Sequence, residues 1–176
     1  YNVAVGFKAG EAVTTGVQNT LVGAQAGDSL TTGTNNVAIG FEALATEDEH
    51  SFNVAVGHRA LKTQNAGASA YNTAVGYNTG LNVTTGRQNT LIGGLAGDAL
   101  TTGLDNVAIG YNTMSTADGS EARNVAVGTH ALASMNTDGN NYNTAVGYAA
   151  GTSITTGVIN TLIGGLAGDA ITTGSG

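Results

Sequence analysis

Apolar and polar residues along this chain recur as one short phrase: Asn, then Val or Thr, then Ala or Leu, then Val or Ile, then Gly. The phrase opens at Asn2, Asn19, Asn36, Asn53, Asn72, Asn89, Asn106, Asn124, Asn143 and Asn160. Seven of the ten units are 17 residues long, those from Asn53 and Asn124 are 19, and that from Asn106 is 18. So regular a repeat predicts a stacked array rather than a closed globular domain. Apolar residues spaced by two, with Gly every few residues, predict short strands and argue against helices.

Beyond the phrase, the units are of two kinds. Six continue into an aliphatic-Thr-Thr-Gly run, at 13–16, 30–33, 83–86, 100–103, 154–157 and 171–174. The β-branched Thr pair predicts a second short strand, its aliphatic neighbour pointing inward. The other four place Leu44, Leu61, Met114 or Leu132 where the six have Gly, and then enter polar segments at 46–50, 63–67, 116–119 and 136–141. The two kinds alternate in pairs.

Two strands and two turns per unit predict an all-β fold, a parallel β-solenoid (β-roll) of ten coils of 17–19 residues. At about 4.8 Å per coil the rod is roughly 50 Å long. Tyr-Asn pairs at Tyr1, Tyr71 and Tyr142 mark a longer period, so the single solenoid segment 1–176 divides into long repeats 1–70 and 71–141 and a half unit 142–176. Solenoid ends normally carry atypical capping repeats, and these units do not. The expectation is a segment of a longer array whose open sheet edges template further pairing.

Side chains in a strand alternate between faces. The expectation is that the second and fourth positions of the phrase face the coil interior and the third faces outward. The third position is Ala4, Leu21, Ala38, Ala55, Ala74, Leu91, Ala108, Ala126, Ala145 and Leu162. An outward apolar column of that length predicts a partner, and these ten residues are the expected oligomer stripe. The ten Asn residues that open the units are expected to stack as a structural ladder. The phrase-ending Gly is expected to make a corner.

Composition narrows the function. Gly is 28 of 176 residues but Pro is absent, which excludes collagen. Disorder is disfavoured at 41% hydrophobic and 10% charged. The net charge is −7, and Lys8, Arg59, Lys62, Arg87 and Arg123 are scattered, so nucleic acid is not an expected partner. There is no Cys, hence no disulfide or redox dependence. No apolar run reaches the ~18 residues of a membrane span, so membrane insertion is not expected.

At 36–40, 53–57 and 106–110 the sequence resembles the head repeats of trimeric autotransporter adhesins. The run from Asn89 to Gly103 is similar to repeats of bacteriophage tail-fibre proteins and related bacterial surface proteins. The first resemblance implies a left-handed β-roll packed as a homotrimer; the second implies a fibre shaft on a virion. The adhesin coil is shorter and lacks the Thr-Thr-Gly run. Together they imply an extracellular structural or adhesive segment of a viral tail fibre, with a bacterial adhesin or self-assembling matrix filament as the alternative.

Candidate chemistry is sparse. His50, His58 and His130 lie in different coils, and no nucleophile, base and orienting group can be placed together, so an enzyme is not expected. Asp138 and Asn140, in a polar segment with a Gly turn, and the run Glu47, Asp48 and Glu49 are weak candidates for Ca²⁺. A solvated turn is the plainer reading of both, and no cofactor is expected. Paired threonines on a solenoid suggest ice binding as a third reading. Phe7, Phe41, Tyr77, Tyr111 and Tyr148 directly follow the strand Gly. They suggest either sugar stacking on a cell-surface glycan or, more simply, cover for the corner.

Overall fold

In the computed structural model, which describes residues 1–176, each coil contributes one three-residue strand. These are β1 (Val3–Val5), β2 (Thr20–Val22), β3 (Val37–Ile39), β4 (Val54–Val56), β5 (Thr73–Val75), β6 (Thr90–Ile92), β7 (Val107–Ile109), β8 (Val125–Val127), β9 (Thr144–Val146) and β10 (Thr161–Ile163). They pair in parallel and in chain order as one ten-stranded sheet. The fold is an all-β parallel solenoid. Equivalent positions pair throughout, even where a coil is longer: Ala55 opposes Ala74 and Ala126 opposes Ala145. Extra residues are absorbed in the polar segments.

The expected second strand does not form. Outside the sheet only Arg87 with Leu104, and Ala122 with Asn140, make isolated bridges. The reason lies in the threonine runs. The Thr14 and Gly16 amides both donate to the Thr31 carbonyl, at 2.9 and 3.2 Å, and those of Thr84 and Gly86 both donate to Thr101. Two amides converging on one acceptor bend the backbone out of an extended ladder.

The expected assignment of faces is also inverted. Ala38, Ala55, Ala74, Leu91, Ala108, Ala126 and Ala145 are wholly buried, as is Leu21, and Leu162 packs partly buried on the core. Ala4, in β1, is the one exposed member of the ten. The second and fourth positions face outward instead. A coil with one strand is narrow, and its interior is filled by the third position, the small eighth residue (Ala26, Ala43, Ala60 and equivalents) and one aliphatic from the far side (Leu30, Val83, Leu100, Ile154). The Asn that opens each phrase is buried too, from Asn19 to Asn160. First and third positions share a face, as period-two alternation requires.

One feature of the core explains why the coil kinds come in pairs. Leu occupies the third position only in the second coil of each Gly-containing pair: Leu21, Leu91 and Leu162. Its side chain fills the space of the ninth position in two coils. A Cβ on Gly97, in the same coil, would stand 3.0 Å from Leu91 Cδ2, and one on Gly80, in the preceding coil, 2.8 Å from Leu91 Cδ1. Where the third position is Ala in the other pairs, the ninth is Leu44, Leu61, Met114 or Leu132, all buried. Interiors are close-packed, so one large residue excludes two others. Leu91→Ala is expected to cost about 2–5 kcal/mol, and Gly97→Ala to destabilise the parent but restore part of the loss in the Leu91→Ala background. Urea titrations of the four proteins should give a coupling of about 0.5–3 kcal/mol, of rescuing sign.

Corners rest on left-handed residues. The seventh residue of every coil has positive φ, from Lys8 (57°) to Leu166 (60°), as does the residue before each of the nine later Asn residues, from Gln18 (61°) to Ile159 (62°). Type II turns require this at their third residue, and the Ala9 amide closes one onto the Gly6 carbonyl at 3.3 Å. Such a conformation costs a non-Gly residue about 1–2 kcal/mol unless held. Here neighbouring coils hold it: the Gln18 and Gln25 amides donate to the Tyr1 and Phe7 carbonyls, both at 2.8 Å. The phrase-ending Gly has a different role, because a Cβ on Gly110 would stand 2.6 Å from the Gly128 carbonyl. Adjacent coils cannot approach this closely with any side chain there.

Candidate functional site

The outer face of the sheet is two columns of β-branched residues. The second position supplies Val or Thr and the fourth Val or Ile in every coil. Parallel pairing spaces each column at about 4.8 Å, and the two columns stand about 6.6 Å apart. Ile39, Val75 and Ile92 are each a little over one-third exposed, at 37, 37 and 36%. Beside the columns runs the sixth position, where Phe41, His58 and Tyr77 stack at 5.3 Å between successive centroids. On the other edge Phe52 and Tyr71 stack in parallel at 5.0 Å. Phe7, Phe41, Tyr77, Tyr111 and Tyr148 are all exposed rather than buried under the corner; Phe41 and Tyr77 stack on His58, and Tyr111 meets His130 edge-on. The result is one unbroken Val/Ile column beside a mixed Val/Thr column, edged in places by aromatics, in place of the Ala/Leu stripe expected.

Behind this face the Asn column locks the coils together. Each Asn amide from Asn19 to Asn160 accepts support from the coil before: Asn19 N–H donates to Asn2 Oδ1 at 2.9 Å, and Asn106 N–H to Asn89 Oδ1 at 3.1 Å. The side-chain Nδ2 closes its own coil, as Asn19 donates to the Gly33 carbonyl and Asn89 to the Gly103 carbonyl. One side chain thus bridges two coils and shuts a third contact within its own. Asn53 departs, because its buried Nδ2 finds no partner.

The two threonines of each run differ: the second is exposed in every run, and among these only Thr102 donates its hydroxyl to a carbonyl. Thr14, Thr31, Thr84, Thr101 and Thr155 each donate their hydroxyl to a carbonyl of the next coil.

Three of the chain's five perturbed carboxyls, Glu47, Glu121 and Asp138, lie in or beside the polar segments. Asp138 Oδ1 accepts from Ser120 N–H and Oγ at 2.9 and 3.0 Å, which lowers its pKa. Asn140 is exposed, and the neighbouring Asn141 is buried, accepting from Ala122 N–H and Asn124 Nδ2. Glu121 is buried and its pKa raised by that burial. Glu47 is buried at the position where the six Thr-Thr-Gly coils carry an aliphatic, with its pKa likewise raised by burial. Its Oε1 meets His50 Nδ1, while Glu49 points to solvent. The structure therefore gathers Glu47, Asp48 and His50, not Glu47, Asp48 and Glu49. His58 and His130 lie elsewhere, stacked on or edge-on to aromatics. The surface has no pocket.

Sequence reasoning placed the Asn column, but it gave the phrase-ending Gly the corner instead of the close approach of coils and missed the outer face. A signal was present. An Asn ladder is useful only when sheltered from water, and the first position shares its face with the third. Comparison with protein-family models, curated proteins and solved structures finds no match for this chain.

Proposed function

We propose that this chain is a structural and adhesive segment of an extracellular fibre, assembled side by side as a homotrimer through the outer face of its sheet. The observation that carries the reading is that face: a Val/Ile column and a Val/Thr column running the length of the rod, with stacked aromatics at its edges over coils three to five. Soluble monomers rarely leave so long an apolar column open, and three rods related by an axis along their length bury it. The resemblance to adhesin heads and phage tail-fibre shafts points the same way. Of these, a viral tail fibre touching a host surface is the first choice and a bacterial adhesin or matrix filament the alternative.

Adhesion is multivalent in this reading. The polar segments recur twice per four coils, and exposed tyrosines beside them offer flat faces to sugar rings of a cell-surface glycan. Each contact is weak and the repeat multiplies it. The chain is expected to elute with three times its 17.3 kDa mass by light scattering. A monomer at all concentrations would remove the proposal, and a mass growing without limit would favour the filament.

A second reading rests on the same columns. Their evenly spaced Thr and Val side chains are the kind of lattice an ice surface could match. A monomer that shows thermal hysteresis would favour it.

A further inference from the structure

We propose that Glu47, Asp48 and His50 form a binding site for one divalent transition-metal ion. Their ligand atoms all lie within 4.8 Å of one another, on a loop of four residues. Glu47 enters from inside the coil with its side chain wholly buried, and its Oε2 has no hydrogen-bond partner. Asp48 Oδ1 stands 3.9 Å from His50 Nδ1, and its side chain is 44% exposed, so the third ligand comes from the solvent side. A buried carboxylate oxygen without a donor is expensive, and a cation beside it removes the cost.

The loop is already held in place. The Asp48 carbonyl accepts from Thr31 N–H, Thr32 N–H and Thr31 Oγ1, and the His50 carbonyl from Asn36 Nδ2. The Glu49 amide orients Asp48 Oδ1 at 2.8 Å. Ligands on a backbone pinned by neighbouring coils lose little freedom on binding. Ligand atoms around zinc stand about 3–4 Å apart at bond lengths of about 2.0–2.2 Å, so on binding the Glu47 Oε1–His50 Nδ1 hydrogen bond opens and its proton goes to solvent, while Asp48 Oδ1 already stands at ligand spacing from Nδ1. An imidazole beside two carboxylates selects Zn²⁺, Co²⁺, Ni²⁺, Mn²⁺ or Fe²⁺ over Ca²⁺, whose ligands are oxygens. Exposure on the Asp48 side leaves the remaining positions to water.

Isothermal titration of the full chain with Zn²⁺ tests the site, with Co²⁺ absorption as a second readout of ligand identity. One ion per chain is expected. Glu47→Gln and His50→Ala should each weaken binding by at least about tenfold and shift the Co²⁺ spectrum, while Asp138→Asn and His58→Ala leave both unchanged. Glu47→Gln is a mild change, since Gln64 occupies the same position of the next coil fully buried. No stoichiometric Zn²⁺ binding, binding unmoved by Glu47→Gln and His50→Ala, or tighter binding of Ca²⁺ than of Zn²⁺ would each overturn the proposal. The outcome is independent of oligomeric state, which light scattering reads separately.

Discussion

Ala74→Asp is expected to unfold the middle of the rod, whereas Val75→Asp, one residue along, leaves the coil folded and breaks the assembly. Ala74 is wholly buried and Val75 is 37% exposed. Ala74 is flanked along the stack by Ala55 and Leu91, so a carboxylate there has no donor and no counter-charge. An uncompensated buried charge costs about 3–5 kcal/mol. Stability in a stacked array passes through nearest-neighbour interfaces, so the loss divides the rod in two. At Val75 the carboxylate reaches water, and the fold loses at most about 1 kcal/mol of strand preference. Three copies around an axis would bring three such charges together on the apolar column. Circular dichroism during denaturation reads the first effect and light scattering the second. Equal loss of fold in both variants would contradict the assignment of faces.

The Asn column carries the next largest effect. Asn89 Oδ1 accepts from the Asn106 amide and from Asn106 Nδ2, and Asn89 Nδ2 donates to the Gly103 carbonyl and to Asn72 Oδ1. Asn89→Ala leaves a buried N–H and a buried carbonyl without partners, at about 1–3 kcal/mol each, so a loss of about 2–6 kcal/mol is expected. Hydrogen exchange should rise first at 89–106. Asn53→Ala is expected to cost about 1 kcal/mol less, because Asn53 Nδ2 already lacks a partner. If the two substitutions cost the same, the side-chain amide contributes nothing.

These two experiments bear on what could be read from residues in order. A ten-fold phrase, a Gly that admits no side chain and an Asn at a constant offset all report local requirements, and they are visible as letters. The metal cluster was half visible. The acidic run 47–49 stood out, but which of its members turn inward depends on how the neighbouring coil bends the loop, and Glu49 points away while His50 turns in. The threonine pairs misled for a related reason. Their β-branching suits a strand, but in four of the six runs two amides, one or two residues apart, share one carbonyl of the next coil and the chain bends.

The sequence by itself determined the architecture, the coil lengths and the in-register stacking, because a period repeated ten times leaves one way to superpose equivalent residues. The direction each strand faces was decided only in three dimensions. Five copies carry Val at the second position and no polar member to mark the solvent side, and Thr in the other five marks it weakly, since Thr79 and Thr113 are buried in this same chain, so alternation alone leaves the parity open. Volume broke the tie. A coil this narrow accepts one Ala or Leu per strand beside the buried Asn, and the paired β-branched columns are left outside.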